Sequence, residues 1–273
     1  MRFTKGHGTG NDFVILPDPD GAIALTPELV AALCDRRRGI GADGVLRVVR
    51  AAKHPDAAGQ AADAEWFMDY WNADGSYAEM CGNGVRVYLR YLLDHGLAAG
   101  DRIPVATRGG TKIGFIGAEI AVDLGAPRLG ERANTTVGGF TYAGTAVDMG
   151  NPHLVCRVSD LDILDLTRAP EVDPASFPDG ANVEFATPVA DDRVTMRVYE
   201  RGSGETLSCG TGACAVAAVH LRDAGRDSGT VTVDVPGGRL TVTVDGPTCL
   251  LAGPAVLVAD GEINLGALVQ PDA

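Results

Sequence analysis

The sequence predicts an α+β protein of two sheet-rich halves, each wrapped around one central helix. Three observations predict it. Two nearly identical words, Cys81-Gly82-Asn83-Gly84 and Cys209-Gly210-Thr211-Gly212, each open a helix-length run that closes at a later glycine, Gly96 and Gly225. Both runs are apolar almost all round: Val85, Val87, Tyr88, Leu89, Tyr91, Leu92 and Leu93 in one, Ala213 to Val219 with Leu221 in the other. A helix apolar on every face is buried on every face. Around them, short strand patterns with Gly or Pro turns are bunched between single helices instead of alternating with them. A length of 273 residues suits two domains. Because the pattern occurs twice, the halves fall at 1–123 and 124–273, with a boundary near Leu124–Arg128 and the last ~10 residues pairing back onto the first half.

Taken in order, Gly8-Thr9-Gly10-Asn11-Asp12-Phe13 is a glycine-rich polar loop entering an apolar strand. Thr26-Pro27-Glu28 reads as an N-cap, an N1 proline and a first-turn acid. Leu29, Val30, Leu33 and Cys34 follow at helical spacing, and Gly39 ends the element. The Arg36-Arg37-Arg38 run reads as a helix C-terminus complementing its dipole. Val45–Arg50 and Ala64–Asn72 read as strands, with Trp66, Met68 and Tyr70 on one face and Asn72 continuing their parity. Asn72 is thus either an inward site amide or the first residue of a turn, Asn72-Ala73-Asp74-Gly75. His54–Asp63, rich in Ala and Asp, is the segment least expected to order. Further strands are expected at Ile103–Thr107, Thr111–Ile116, Ala121–Leu124, Arg193–Glu200, Thr230–Val235, Arg239–Val244 and Cys249–Val258.

Charge and cysteine content exclude several functions. A net charge of −13 opposes nucleic acid and anionic membrane surfaces, both of which need a basic footprint. No apolar run is long enough to span a membrane, and no export signal opens the chain, so a cytoplasmic protein with reduced thiols is expected. The six cysteines include no Cys-x-x-Cys pair, which excludes the common zinc and thioredoxin-like patterns; no metal is expected. Gly39-Ile40-Gly41-Ala42-Asp43-Gly44 matches a dinucleotide fingerprint, but it follows a helix and precedes a strand, the reverse of the required context. Cys34, Cys156, Cys214 and Cys249 lie in apolar runs and read as core.

Cys81 and Cys209 differ from these because each stands where a helix begins. Orphan N–H groups and the positive helix end lower a thiol pKa below its usual ~8.5. The Gly-x-Gly that follows lets backbone amides approach a carboxylate. One motif therefore offers a base and half an anion pocket; two offer a base, an acid and a carboxylate held between helix ends. Glu200 shares the parity of Val194, Met196 and Val198 and points inward before the turn leading to Cys209. Alone it would read as a surface charge pair with Arg201. Gly150-Asn151-Pro152-His153 is a turn carrying an imidazole whose role local sequence leaves open.

Together these residues closely resemble the diaminopimelate epimerase family. The resemblance covers essentially the whole chain and rests on Lys5 through Phe13, Asn72 through Ser76, Met80 through Gly84, Gly150 through His153, Asn182-Val183, Tyr199 through Gly202 and Leu207 through Gly212. It implies cofactor-independent two-base epimerisation of LL-diaminopimelate to the meso form, for lysine and peptidoglycan precursors. It also implies two pseudosymmetric barrel-like halves with the site in the cleft between them, and a homodimer. By position, Cys81 and Cys209 resemble the acid/base pair. Asn11, Asn72, Asn151, Asn182, Glu200 and Arg201 resemble substrate contacts, and Gly82, Asn83, Gly210 and Thr211 resemble the helix-end carboxylate binders. His153 and Glu200 resemble the groups that tune the thiols. One departure stands at Gly44, where many members carry Gln. The competing readings are a proline racemase-like two-thiol isomerase and a non-catalytic amino-acid-binding module.

Overall fold

A computed structural model describes residues 1–268. In chain order its elements are β1 (Arg2–Gly8), β2 (Asn11–Pro17), α1 (Pro27–Cys34), β3 (Gly44–Arg50), β4 (Trp66–Asn72), α2 (Gly82–Asp94), β5 (Arg102–Val105), β6 (Lys112–Ile116) and β7 (Ile120–Asp123). They continue as β8 (Arg128–Val137), β9 (Phe140–Asp148), β10 (Pro152–Arg157), β11 (Glu171–Val172), β12 (Asn182–Ala190), β13 (Arg193–Glu200), β14 (Gly204–Thr206) and α3 (Gly210–Asp223). The last are β15 (Gly229–Val235), β16 (Gly238–Asp245), β17 (Thr248–Gly253), β18 (Val256–Glu262) and α4 (Leu265–Leu268). The fold is α+β and sheet-rich, with two compact units: Met1–Val122 with the segment from Pro254 onward, and Asp123–Gly253.

In the first unit the strand order is β18-β1-β2-β3-β4, antiparallel except for the β2–β3 pair. The meander β5-β6-β7 joins it through a parallel bridge from Phe67 to Ala106. Phe13, Val14, Ile15 and Leu16 are all fully buried because β2 is covered on both faces. Val14 and Leu16 pack with Val30 and Leu33 of α1, whereas Phe13 reaches the first turn of α2 at Gly84. The α2 helix lies against β1, β2, β3, β4, β6 and β18, and residues 82–89 are buried throughout.

Helix α1 begins as expected, Thr26 Oγ1 accepting from Leu29 N at 3.3 Å. It stops at Cys34, short of Gly39. The Asp35 carboxylate accepts from the amides of Arg37 and Arg38 at 2.8 and 2.7 Å, a turn that competes with helix continuation. The returning chain then satisfies the last carbonyls, Ile40 N and Gly41 N bonding Leu33 O. The arginine run thus lies beyond the helix and does not complement its dipole. Residues 54–63 are also better ordered than their composition suggests: they form short 3-10 turns, with Ala57 buried and the His54 ring 4.7 Å from that of Phe67. The strand expected over Cys249–Val258 is two strands parted at Pro254, which has no amide to donate. β18 then pairs with β1, so the return to the first unit begins well before the last ten residues. Of that closing stretch, residues 269–273 lie outside the described residues.

In the second unit the order is β11-β8-β9-β10-β12-β13-β15-β16-β17, with parallel pairs at β10–β12 and β13–β15. The order does not close on itself, so the sheet curls about its helix without becoming a closed barrel. Helix α3 lies against β9, β10, β12, β13, β15, β16 and β17. Leu154, Cys156, Val183 and Phe185 face the other way, into a separate cluster with Leu164, Leu166 and Phe177. By alternation His153, Glu184, Val194, Met196, Val198 and Glu200 face the helix.

Candidate active site

In the first unit Cys81 is the N-cap of α2, extended at φ −141° and ψ 120°, and its Sγ accepts from Gly84 N at 3.4 Å. A Cβ on Gly84 would stand 3.3 Å from the Cys81 Cβ, so the glycine keeps the first turn narrow beneath the sulfur. Asn11 Oδ1 lies 3.4 Å from both Cys81 Sγ and Asn83 Nδ2, accepting from each. Asn83 is buried, and its Oδ1 accepts from the fully buried Arg86 at 2.9 Å. Its side chain therefore braces Asn11, and any carboxylate contact from this residue comes through its backbone amide. Gly44 pairs with Asn72 while Phe13 pairs with Gly44, which places Asn11 and Asn72 at the same end of the sheet. Asn72 is half-buried, and its Nδ2 donates to Ser76 Oγ at 3.0 Å within the turn.

The second unit repeats the cap. Cys209 is the N-cap of α3, extended at φ −117° and ψ 118°, and Sγ accepts from Gly212 N at 3.4 Å with Thr211 Oγ1 at 3.5 Å. Glu200 lies beside it, hydrogen-bonded to the thiol and to Thr206 Oγ1. His153 is fully buried, with Nδ1 2.7 Å from Glu184 Oε1 and Nε2 3.0 Å from Asn151 Oδ1. Asn182 is consumed structurally: Nδ2 donates to Pro152 O at 3.2 Å and Oδ1 accepts from Arg201 N at 3.0 Å. The Arg201 guanidinium is exposed and donates to Asp179 O at 3.1 Å.

A family model described as diaminopimelate epimerase matches residues 3–129 and 145–258. The diaminopimelate epimerase of Streptomyces coelicolor is 53% identical, the alignment covering 97% of this chain and 96% of that protein. That of Rhodococcus jostii is 50% identical over 97% of this chain and 98% of its own. The chain belongs to the diaminopimelate epimerase family. Among solved structures, a phenazine biosynthesis protein of the PhzF family from Bacillus anthracis shares the fold, with a TM-score of 0.72 at 18% identity, covering 97% of this chain and 99% of that one. A probable proline racemase from Agrobacterium radiobacter shares it at TM-score 0.69 and 14% identity, covering 97% and 93%.

For a diaminopimelate epimerase family member the electrostatics of the second thiol are informative. Burial pushes the Cys209 thiol well above its ordinary range, and the carboxylates of Glu200 and Glu184 push it further. The Thr211 hydroxyl and Gly212 amide oppose this and lose. The expectation that a helix N-terminus lowers this thiol therefore fails at Cys209, because desolvation and two like charges outweigh a half-charge. Burial likewise raises Glu200, against the hydrogen bonds from Thr206 and Cys209. Cys34 and Cys156 are pushed up to about 12 by burial, as core thiols are.

Sequence reasoning did not find Glu184, Arg86 or the cluster around Asp12. Asp12 accepts from Lys5 Nζ at 2.7 Å and from Arg36 Nη1 and Nη2 at 3.0 and 2.8 Å, and Asp43 accepts from Asn11 Nδ2 at 2.9 Å. The one available signal was a charged residue inside an apolar run, as in Val183-Glu184-Phe185. At Gly44 a Cβ would stand 2.4 Å from Trp71 O and 2.7 Å from Tyr70 Cε2, so the Tyr70 ring fills the space a longer side chain would need.

Proposed function

We propose that this chain interconverts LL- and meso-diaminopimelate by two-base proton exchange, Cys81 and Cys209 acting on opposite faces of one α-carbon. The observation that carries the reading is the repeated one: in a diaminopimelate epimerase family chain, two cysteines each N-cap a buried helix and receive the amide of the third residue on. First-turn amides of both helices have no intrahelical acceptor and suit the substrate carboxylate. With its pKa raised, Cys209 rests as a thiol, the acid of the pair. Cys81, whose Sγ accepts from Gly84 N, is then the base in the direction that starts from this state once the proton it donates to Asn11 Oδ1 has left, and the roles exchange in the reverse. An amino-acid α-proton is weakly acidic, so fixed dipoles and exclusion of water must stabilise the carbanion.

Glu200 and His153 act as the tuning groups, and Asn11, Asn72, Asn151, Asn182 and Arg201 orient the substrate, Asn182 chiefly through the Arg201 backbone it holds. The same reading makes this a cytoplasmic homodimer in lysine and peptidoglycan-precursor synthesis that works without a cofactor. Family membership supports it, and no helix among the described residues is long and apolar enough to cross a membrane. Incubation with LL-diaminopimelate in D2O tests the mechanism. Meso product should form with one α-deuterium per inversion, and Cys81→Ser and Cys209→Ser should each abolish it. Wild-type deuterium uptake in either variant would exclude the two-thiol mechanism, and exchange on proline instead would move the chain to the racemase reading.

A further inference from the structure

Beneath the first turn of α3 lies a carboxylate to which the mechanism above gives no role beyond its charge near Cys209. Glu184 is fully buried in β12 between Val183 and Phe185, whose side chains enter the cluster on the far face of the sheet. Alternation turns Glu184 toward α3, where its Oε1 lies 2.6 Å from the point a Cβ on Gly212 would occupy. The missing side chain at Gly212 is what leaves room for it. The same oxygen is 2.7 Å from His153 Nδ1, and Oε2 has no hydrogen-bond partner among the described residues.

A buried carboxylate with an unsatisfied oxygen costs stability that an apolar side chain of similar size would not. The positive end of α3 offsets part of that cost. The carboxylate does something for the histidine that an apolar residue cannot. Ionised, it only accepts, so the nitrogen facing it must carry a proton. The state of one ring nitrogen sets what the other can do. We propose that Glu184 is a positioning residue for the reaction, holding His153 with its proton on Nδ1 and its lone pair on Nε2, toward which the Asn151 amide, 3.0 Å away, must then turn its NH2 in place of Oδ1. The assignment rests on the epimerase reading for its catalytic consequence but not for its tautomer.

The test is Glu184→Gln, whose amide can either accept from Nδ1 or donate to it and so no longer dictates the tautomer. Long-range 1H–15N correlation on substrate-free enzyme reads the ring directly; with five histidines, His153 is assigned by its loss in His153→Asn. Wild-type enzyme should show a protonated Nδ1, and Glu184→Gln should add a population protonated on Nε2. Its kcat should fall about tenfold or more with KM within about threefold, as for other groups that orient a histidine through its remote nitrogen. Glu184→Asp should restore the Nδ1 signature and most of kcat. If Glu184→Gln does not fold, Gly212→Ala displaces the same carboxylate and should give the same signature. A wild-type ring protonated on Nε2 alone, or a variant that loses kcat with its tautomer unchanged, would overturn the proposal. An inactive wild type with the predicted tautomer would instead overturn the epimerase reading.

Discussion

Replacing Asp12 by Asn should destabilise the first unit by an amount that shrinks in acid. Burial pushes this carboxyl up, but the hydrogen bonds and charges of Arg36 and Lys5 overcome it and bring it from 3.8 to about 2. At about 1.4 kcal/mol per pKa unit, the ionised form stabilises the fold by roughly 2 kcal/mol. A depressed carboxyl contributes fully above its unfolded pKa and loses that contribution as pH falls through its folded one. The cost of Asp12→Asn should therefore be roughly 2 kcal/mol at pH 7 and about half that at pH 3. Urea unfolding followed by tryptophan fluorescence reads it cleanly, since both tryptophans, Trp66 and Trp71, lie in the same unit as Asp12. Because Asp12 and Asp43 share Arg36, and Asp43 holds Asn11, KM should rise as well. An equal cost at pH 3 and pH 7 would show that Asp12 acts by packing and not by charge.

Other substitutions probe the thiols and the sheet. Glu200→Gln removes a like charge beside Cys209, so the pH midpoint for alkylation of the Cys209 peptide should fall, read by mass spectrometry; an unchanged or higher midpoint would refute the electrostatic account. Gly44→Ala forces a Cβ against Trp71 O and should cost about 1–3 kcal/mol, read as an earlier unfolding midpoint. Gly44→Gln should cost at least as much, and a Gln variant as stable as wild type would show that Tyr70 yields easily. Cys81→Ser and Cys209→Ser should keep the wild-type unfolding free energy within about 0.5 kcal/mol while losing activity, because a hydroxyl also N-caps a helix.

Much of this was written locally in the chain. A cysteine before Gly-x-Gly and an apolar run marks an N-cap because the first-turn amides need an acceptor within three residues, and both caps stand where that rule puts them. The parity of Val194, Met196 and Val198 carried Glu200 to the helix face because alternation in a strand is fixed by backbone geometry. Helix α1 ends before Gly39 because a side chain, Asp35, competes with the backbone for two amides, which the apolar spacing does not reveal. The apolar run over Cys249–Val258 is two strands because Pro254 parts segments that belong to different units, a division that strand spacing does not carry.

Sequence alone determined which residues cap the two helices, which helices are buried and which strand faces point inward, since each depends on neighbours a few positions away. Tertiary structure alone decided which amides are consumed by the protein, as with Asn83 and Asn182, and which charges meet. Glu184 and His153 are 31 positions apart and come together only because β10 and β12 pair in parallel. It also decided the direction of the Cys209 shift. The pull of a helix end is local and legible in sequence, whereas desolvation and the approach of two distant carboxylates exist only once the chain has folded around the thiol.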